Sequence, residues 1–411
     1  MNRSRRVRTA GMSSTRFDSQ RAYEIVQDLS GRVYAGRRVG SLGHARALRR
    51  IGDILKEAGL SVRPEGFSFP VSVAEVAGEP TATIRTSRTN AEERVAYRSE
   101  FAEHPSSGPS RDGAAGPVTL WKDSTELREK WVVAATLSKD VSLARQAEVT
   151  ARYGGLGLLV PFAVKSNAVI FKQLFAGEGF PTPTLFFRRE RLVPDLPARL
   201  RIDIRVRRRP LNGTNLLATV PGTDRRLAHH PLLLTAHYDA VGDDPGGLRF
   251  PGASDNASGL AVILELARSL GSSLSSFRRP VWFAALDAEE TGAYGSYALA
   301  SELQHVGIRP LVVNVDLAAL ASGAVVAEGT SDAQGLLAAL DAAGRRQGVP
   351  LVHGPVQSDN RRFGAAGFPS VGLGSGGFGY HTPLDTIDRV EPEALRRLGV
   401  LLQDVVRRIA A

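Results

Sequence analysis

Histidines and carboxylates follow four short apolar segments of this 411-residue chain, at residues 232–236, 281–286, 311–315 and 369–373. Imidazole and carboxylate groups bind divalent metal ions and also transfer protons in hydrolytic reactions. The pattern therefore predicts a metal centre, an acid-base site, or both, assembled from distant parts of the chain. The residues concerned are, in chain order, His237, Asp239, Glu289, Glu290, Asp316 and His381.

The apolar segments before these residues have the length and composition of buried β-strands. In an open α/β sheet, ligands bind at the carboxyl ends of the strands, so the polar residues should converge there. Asp255 joins them from a tight turn at residues 251–259, which leads into a helix predicted for residues 256–270. A carboxylate at the start of that helix can face the same cleft.

The adjacent residues Glu289 and Glu290 need a counter-charge, because two carboxylates at one buried strand end repel each other. Their side chains leave the backbone in different directions, so one can bind a metal ion while the other transfers protons. Asp239 lies two residues after His237 and projects from the same side of an extended chain. We therefore expect Asp239 to orient the imidazole of His237.

The number of candidate ligands predicts that one carboxylate is shared. The sequence has no cysteine, so a metal ion must be held by His, Asp and Glu. The candidates suffice for two divalent cations only if one bridges, and a bridging Asp255 gives each cation three protein ligands. Two such ions could clamp an attacking water and a substrate carbonyl oxygen. The ligand set suits Zn²⁺, Mn²⁺ or Co²⁺, so the residues alone do not identify the ion.

Composition excludes some classes of protein. The formal net charge of +10 comes from scattered arginines, and the clusters at residues 3–8 and 205–209 lack interleaved aromatics, so no nucleic-acid partner is predicted. No apolar run is long enough to cross a membrane, so no membrane association is predicted. Residues 1–12 are basic without the apolar core of a secretory signal, which makes a cytoplasmic location the default expectation. The oligomeric state is not predicted.

Five ordered blocks of the sequence resemble the co-catalytic di-zinc aminopeptidases of the bacterial leucyl aminopeptidase type. They include His-Tyr-Asp, Ala-Glu-Glu-Thr-Gly and Asn-Val-Asp, and the Gly-Ser-Leu-Gly sequence before His44 fits as well. The blocks are residues 237–239, 252–259, 288–292, 314–316 and 380–386. The resemblance implies an α/β fold, a three-layer sandwich with a mixed, mostly parallel central sheet of the zinc exopeptidase type.

The resemblance also implies a ligand set. His237 and Asp316 would hold one zinc ion, and Glu290 and His381 would hold the other. Asp255 would bridge the two. The implied cofactors are thus two divalent metal ions per chain, with Zn²⁺ the expected ion, and the implied partner is a peptide substrate.

The remaining site residues receive catalytic roles from the same resemblance. Glu289 would be the general base, Asp239 would support the first histidine ligand, and Tyr380 would hydrogen-bond the oxyanion of the tetrahedral intermediate. We expect Phe378 and residues near Phe363 in the pocket wall. The implied function is a metal-dependent exopeptidase that removes N-terminal amino acids through a two-metal-activated water and the glutamate base.

Length favours two domains, or one domain with an insertion. We divide the chain into a basic disordered tail at 1–16, an N-terminal part of the peptidase domain at 17–70, an inserted β-rich domain at 71–208, and the catalytic peptidase domain at 209–411. The order of strands and helix in the insertion resembles the protease-associated domain. The alternative is an unrelated small α/β or β-rich insertion with a structural role.

Other functions of similar proteins stay open at this point. Deacylases and carboxypeptidases of the aminoacylase type carry a lid domain between the later ligands, whereas the stretch from Asp316 to His381 is too short for one. The large insertion instead precedes His237, which favours an aminopeptidase or a glutamate-carboxypeptidase-like relative. Glutaminyl cyclases share the fold with one zinc ion. A receptor with a peptidase scaffold is the non-catalytic alternative, and the retained ligand set argues against it.

Overall fold

The computed structural model describes residues 16–86, 91–110, 113–135, 141–163, 169–192, 196–271 and 276–411. The predicted tail lies outside this part of the chain except for its last residue. The helices are α1 (Ser19–Leu29), α2 (Leu42–Glu57), α3 (Leu143–Arg152), α4 (Gly259–Leu270), α5 (Tyr294–His305), α6 (Gln334–Gln347), α7 (Asn360–Ala365) and α8 (Pro392–Ile409). No described helix combines the length and apolar character that a bilayer span requires.

Sixteen strands alternate with these helices in the described part of the chain. They are β1 (Val62–Arg85), β2 (Glu92–Val95), β3 (Phe101–Glu103), β4 (Ala114–Gly116), β5 (Val118–Leu120), β6 (Trp131–Val133), β7 (Gly157–Phe162), β8 (Ala176–Gly177), β9 (Thr184–Arg188), β10 (Arg199–Val220), β11 (Leu232–His237), β12 (Val281–Leu286), β13 (Leu311–Val315), β14 (Val325–Gly329), β15 (Leu351–His353) and β16 (Ser370–Gly374).

The large sheet is mixed, with parallel strands at its centre. Its order is β15-β14-β16-β13-β11-β12-β10-β1-β2, with β4 on β10 and β8 on β1. Strands β16, β13, β11 and β12 pair in parallel, whereas β10 and β14 flank them in antiparallel pairs. The central strands are the four apolar segments predicted from the sequence. Their carboxyl ends therefore point to one edge of the sheet.

Helices cover both faces of this sheet, which gives three layers. Leu232, Leu234 and Ala236 of β11 lie in the core that also contains buried residues of α1, α2, α4, α6 and α8. Leu233, which points to the opposite face, packs in the core formed with α5 and α7. Because both faces are buried, β11 is apolar up to His237 except for Thr235, whose hydroxyl donates to the Asn314 side chain. The predicted α/β sandwich is confirmed.

Local signals fix where the helices begin. The Asp18 side chain accepts the backbone N–H groups of Gln20 and Arg21, which caps α1. The helix after the Asp255 turn begins at Gly259, three residues later than predicted, because Asp255 and Asn256 have non-helical backbone angles. The prediction of a turn before this helix is correct, and only the first residue of the helix was predicted too early.

A second sheet of five strands, in the order β3-β9-β7-β6-β5, lies between β1 and β10 in sequence. Its buried residues, among them Phe101, Trp131 and Leu159, form a core together with Ile202 of β10. Strands β1 and β10 pair from Val62 opposite Ala218 to Arg85 opposite Arg199, so both predicted boundaries of the insertion fall inside long strands. The identity of residues 71–208 as a protease-associated domain stays a prediction.

Candidate metal centre

The polar residues that follow the central strands converge at the carboxyl edge of the sheet. His237 ends β11 and is fully buried, and Asp316 directly follows β13. Glu290 comes from the loop after β12, and His381 comes from the glycine-rich loop after β16. Asp255 reaches the same point from the turn before α4. The predicted convergence of all five residues is therefore observed.

Asp255 lies between two imidazoles. Its Oδ1 is 3.4 Å from Nε2 of His237, and its Oδ2 is 3.3 Å from Nε2 of His381. Nε2 of His237 is also 3.6 Å from Oδ2 of Asp316, and Nε2 of His381 is 2.8 Å from Oε2 of Glu290. The five residues thus form two sets of three with Asp255 in common, and the ligand atoms in each set lie within 4.8 Å of one another.

Hydrogen bonds from outside the centre fix the turn that carries Asp255. The Asp385 carboxylate accepts the backbone N–H of Ser254 at 2.6 Å and that of Asp255 at 3.1 Å. The Asn256 amide donates to the Val315 carbonyl at 2.9 Å, which joins the turn to the end of β13. From the sequence, Asp385 was expected to cap the final turns rather than to contact metal. It positions the residue common to both sets.

Asp239 contacts more than the imidazole that it was predicted to orient. Its Oδ1 is 3.5 Å from Nδ1 of His237, while the nearer acceptor for that nitrogen is the backbone carbonyl of Asp239 at 3.2 Å. The carboxylate accepts the backbone N–H groups of Glu289 at 3.0 Å and Glu290 at 3.2 Å. Asp239 therefore links the loop after β11 to the loop after β12.

A cleft of about 720 Å³ opens onto the centre. Residues of the predicted site that line it are Asp255, Glu289, Glu290, Asp316, Tyr380 and His381. The remaining wall comes from residues 104–106, 173–175, 291–292, 317 and 355–357. Tyr380 is 42% exposed, so its hydroxyl is available to a bound molecule. Two stretches of this wall, 104–106 and 173–175, belong to the inserted region.

The prediction for Phe378 is wrong. It does not line the cleft, and the guanidinium of Arg389 lies 4.8 Å from its ring centroid. Phe363 is fully buried under the sheet, although residues 355–357 ahead of it do reach the cleft. Phe175 does line the cleft, and the sequence offered no reason to select it.

The buried charges of the centre perturb one another. Burial raises the pKa of Glu289 well above its usual value, against the opposing effect of His237. Burial also raises the pKa of Glu290, to about 7. For His381, burial lowers the pKa, but the negative charges of Glu290 and Asp255 outweigh it and bring the pKa to about 11. Divalent cations would stabilise the ionised carboxylates and displace these protons.

Unpaired ligand atoms indicate that the centre fits metal ions. Nε2 of His237, Oε1 of Glu290 and Oδ1 of Asp316 are buried without a hydrogen-bond partner among the described residues. Buried polar atoms are almost always paired, and a cation is one partner that explains such a group. Imidazole and carboxylate donors without thiolates are a ligand set that zinc accepts.

Arg37 is a further residue of this region that the sequence did not reveal as functional. It is fully buried, and its guanidinium donates to the carbonyls of Tyr238 at 2.8 Å and Gly252 at 2.7 Å. It also donates to Leu29 and Pro251, both at 2.9 Å. The Arg37 side chain thus joins the segment after His237 to the turn before Asp255. The only sequence signal was a glycine-containing loop.

Residues 215–406 match peptidase family M28. The matched segment is a little under half of the chain, and over it the chain is similar to that family. The M28 segment contains every predicted ligand, the predicted base Glu289, and both Asp239 and Tyr380. The family resemblance predicted from the motifs is confirmed over this segment.

Relatives of the chain include aminopeptidase YwaD of Bacillus subtilis, 31% identical over 195 residues, with 43% of this chain and 41% of that protein covered. Human endoplasmic reticulum metallopeptidase 1 is 26% identical over 212 residues, or 48% of this chain and 22% of that protein. The matches thus span about two fifths of the bacterial relative and about a fifth of the human one.

Solved structures share the fold over nearly the whole chain. A zinc aminopeptidase from Bacillus subtilis aligns with a TM-score of 0.74 at 19% identity, over 96% of this chain and 95% of that one. An aminopeptidase from Aneurinibacillus sp. strain AM-1 aligns with a TM-score of 0.71 at 22% identity, over 96% and 94%. The likeness in fold thus extends beyond the M28 segment.

Proposed function

We propose that this chain is a zinc-dependent aminopeptidase that removes N-terminal residues from peptides. The observation that carries the proposal is Asp255, whose two oxygens lie 3.4 Å and 3.3 Å from Nε2 of His237 and His381. A carboxylate between two imidazoles is what a pair of neighbouring cations requires of a shared ligand. Two of the similar proteins, an aminopeptidase and a zinc aminopeptidase, agree with this assignment by name.

The proposed ligands divide into two sets. His237, Asp255 and Asp316 would hold one zinc ion. Asp255, Glu290 and His381 would hold the second. Three protein ligands per ion leave coordination positions open, as in catalytic rather than structural zinc sites. When bound, such a pair of cations supplies acidification of a water molecule and polarisation of a carbonyl.

Proton transfer would be the work of Glu289, whose carboxylate lines the cleft beside the ligands. It would accept a proton from the attacking water and pass it to the leaving amine. The hydrogen bond from the Glu289 backbone N–H to the Asp239 carboxylate fixes the position of Glu289. Tyr380 lines the same cleft, and its hydroxyl would donate a hydrogen bond to the oxyanion that forms at the substrate carbonyl.

The charge of the cleft favours a free amine over a free carboxylate as the recognised end of the peptide. Among the described residues that line it, none is lysine or arginine, and Glu289 is an acidic residue outside both ligand sets. Recognition of a C-terminal carboxylate requires a cationic partner, usually arginine. This favours an aminopeptidase over the carboxypeptidase alternative.

The test is hydrolysis of a panel of aminoacyl 4-nitroanilides by the full chain, each beside its N-acetylated form. We expect release of nitroaniline from the free-amine substrates alone, loss of activity with a chelator, and recovery with Zn²⁺. Elemental analysis should find two metal ions per chain. Preference for N-acylated amino acids or C-terminally free peptides would instead assign the chain to the deacylase or carboxypeptidase class.

A further inference from the structure

A short segment of the inserted region, Ile170–Phe175, crosses the edge of the metal centre, and we term it the strap. Its first residue donates its backbone N–H to the Arg98 carbonyl at 2.6 Å. The Lys172 N–H donates to the His381 carbonyl at 3.0 Å, and the Ala176 N–H donates to Thr291 at 3.1 Å. The strap is thereby attached to the loops that carry His381 and Glu290.

The strap also contacts the side chain of His381. The Phe171 ring lies 4.6 Å from the His381 ring, tilted by 32°, and meets Tyr380 edge-on at 5.4 Å. Metal-binding histidines usually have their second ring nitrogen fixed by a hydrogen bond. Nδ1 of His381 has no such partner among the described residues and is buried. Packing against Phe171 takes the place of that hydrogen bond.

Buried charges anchor the strap. Nζ of Lys172 donates to Oδ1 of Asp244 and to the Gly242 carbonyl, both at 2.7 Å. Nε of Arg98 donates to Oδ2 of Asp244 at 2.7 Å. The side chains of Lys172, Asp244 and Arg98 are 6%, 1% and 2% exposed. Burying ions carries a desolvation cost, which paired charges in good geometry offset.

The anchor connects the inserted region to the metal centre. Arg98 and Lys172 belong to that region, whereas Asp244 lies in the loop that follows His237 and Asp239. Beyond the anchor, residues 173–175 line the cleft opposite the metal ligands. A single segment therefore contacts a proposed ligand and also lines the cleft.

We infer that Phe171 and Lys172 are positioning residues, through which the inserted region sets both the retention of the metal ion at His381 and the shape of the substrate cleft. Phe171 holds the imidazole against rotation, and Lys172 holds the strap against the ligand loop. The expected effect on metal binding depends only on the geometry of the metal centre and not on which reaction the protein catalyses. The effect on substrate binding rests on the proposed aminopeptidase function.

The first test measures metal affinity by competition with a chromophoric chelator. For Phe171→Ala we expect the affinity for the metal ion at His381 to fall about tenfold. Changes to other residues that orient a metal ligand without binding the metal have effects of this size. Phe171→Tyr keeps the aromatic ring and should bind metal with the wild-type affinity. Phe175→Ala is the matched control, because Phe175 lies in the same strap without a ring contact to His381. Equal loss in both alanine variants, or no loss in Phe171→Ala, would overturn the inference.

The second test compares Lys172→Met with Lys122→Met, an exposed lysine of the same region. Asp244 keeps Arg98 in Lys172→Met, so the protein should fold. At saturating Zn²⁺ we expect KM to rise about tenfold with kcat little changed, because the cleft wall is displaced rather than the reacting groups. A fall in kcat alone would contradict the positioning role. If the wild-type chain hydrolyses no nitroanilide, the proposed function fails, and the chelator test still decides the role of Phe171.

Discussion

The Asp385 carboxylate accepts the backbone N–H of Asp255 across 3.1 Å. Together with its bond to Ser254 at 2.6 Å, this fixes the turn whose side chain lies between both histidines. Asp385 is almost fully buried, and burial raises its pKa to about 6. It thus positions the shared ligand through the backbone.

Removing this support should weaken metal binding. Asp385→Ala leaves two buried N–H groups without an acceptor, and we expect metal affinity to fall about 10- to 100-fold. Competition with a chromophoric chelator measures this affinity. Asp388→Ala, from the same loop but with a side chain that is 70% exposed, is the control and should bind metal like the wild type. Unchanged affinity in Asp385→Ala would show that the turn holds its shape without this carboxylate.

Arg37 should matter for stability more than any surface arginine. In Arg37→Met, the carbonyls of Tyr238 and Gly252 and two others lose their donor in a buried position. We expect the free energy of unfolding to fall by about 3 to 5 kcal/mol, measured by urea denaturation. Arg396→Met, which removes an exposed pair with Glu393, should cost less than about 1 kcal/mol. Similar losses in the two variants would refute a special role for Arg37.

The strand ends could be predicted because their signal is local. An apolar run that stops at His237 or Asp316 identifies both the strand and the ligand from adjacent residues. The parallel arrangement of strands then explains why these ends meet. Glu289 and Glu290 were predictable for the same reason, since paired carboxylates at a buried strand end need a counter-charge.

The supporting residues could not be predicted because their partners are distant and mostly backbone atoms. Arg37 and Tyr238 are 201 positions apart, and a carbonyl acceptor has no residue type by which to recognise it. Lys172 and Asp244 are 72 positions apart, in segments that only the completed fold brings together. The wrong prediction for Phe378 has the same origin, because part of the wall comes from residues 104–106 and 173–175, which lie far from the ligands in sequence.

Glu289→Gln should separate catalysis from metal binding. The amide keeps the shape of the side chain but cannot accept the proton of water, so kcat should fall about 100- to 10,000-fold. Metal content by elemental analysis should equal that of the wild type, because Glu289 belongs to neither ligand set. If the variant retains most of its activity, Glu289 is not the base. If it loses metal instead, the roles of Glu289 and Glu290 are exchanged.

His104 predicts a specific pH dependence of stability. Burial lowers its pKa to about 4, and the Ser106 N–H donates to Nδ1 at 3.1 Å, a bond that only the neutral ring can accept. Its ring also packs on Phe180 and Phe186. The unfolded chain therefore takes up the proton first as the pH falls below about 6.5. The stabilisation that comes from the neutral His104 ring is therefore fully present above about pH 6.5 and is lost as the pH falls from about 6.5 to 4.

The measurement is the free energy of unfolding at several pH values, in chelator, for the wild type and for His104→Phe. The phenylalanine keeps the aromatic packing and cannot titrate, so the decline over this window should be smaller in the variant by at most about 3 kcal/mol. His353→Phe replaces a histidine that is 62% exposed and should leave the profile as it is. If the unfolding free energies of the wild type and His104→Phe fall in parallel with pH, His104 does not contribute. The loss of stability in acid would then come from the carboxylates, which titrate in the wild type and in both variants.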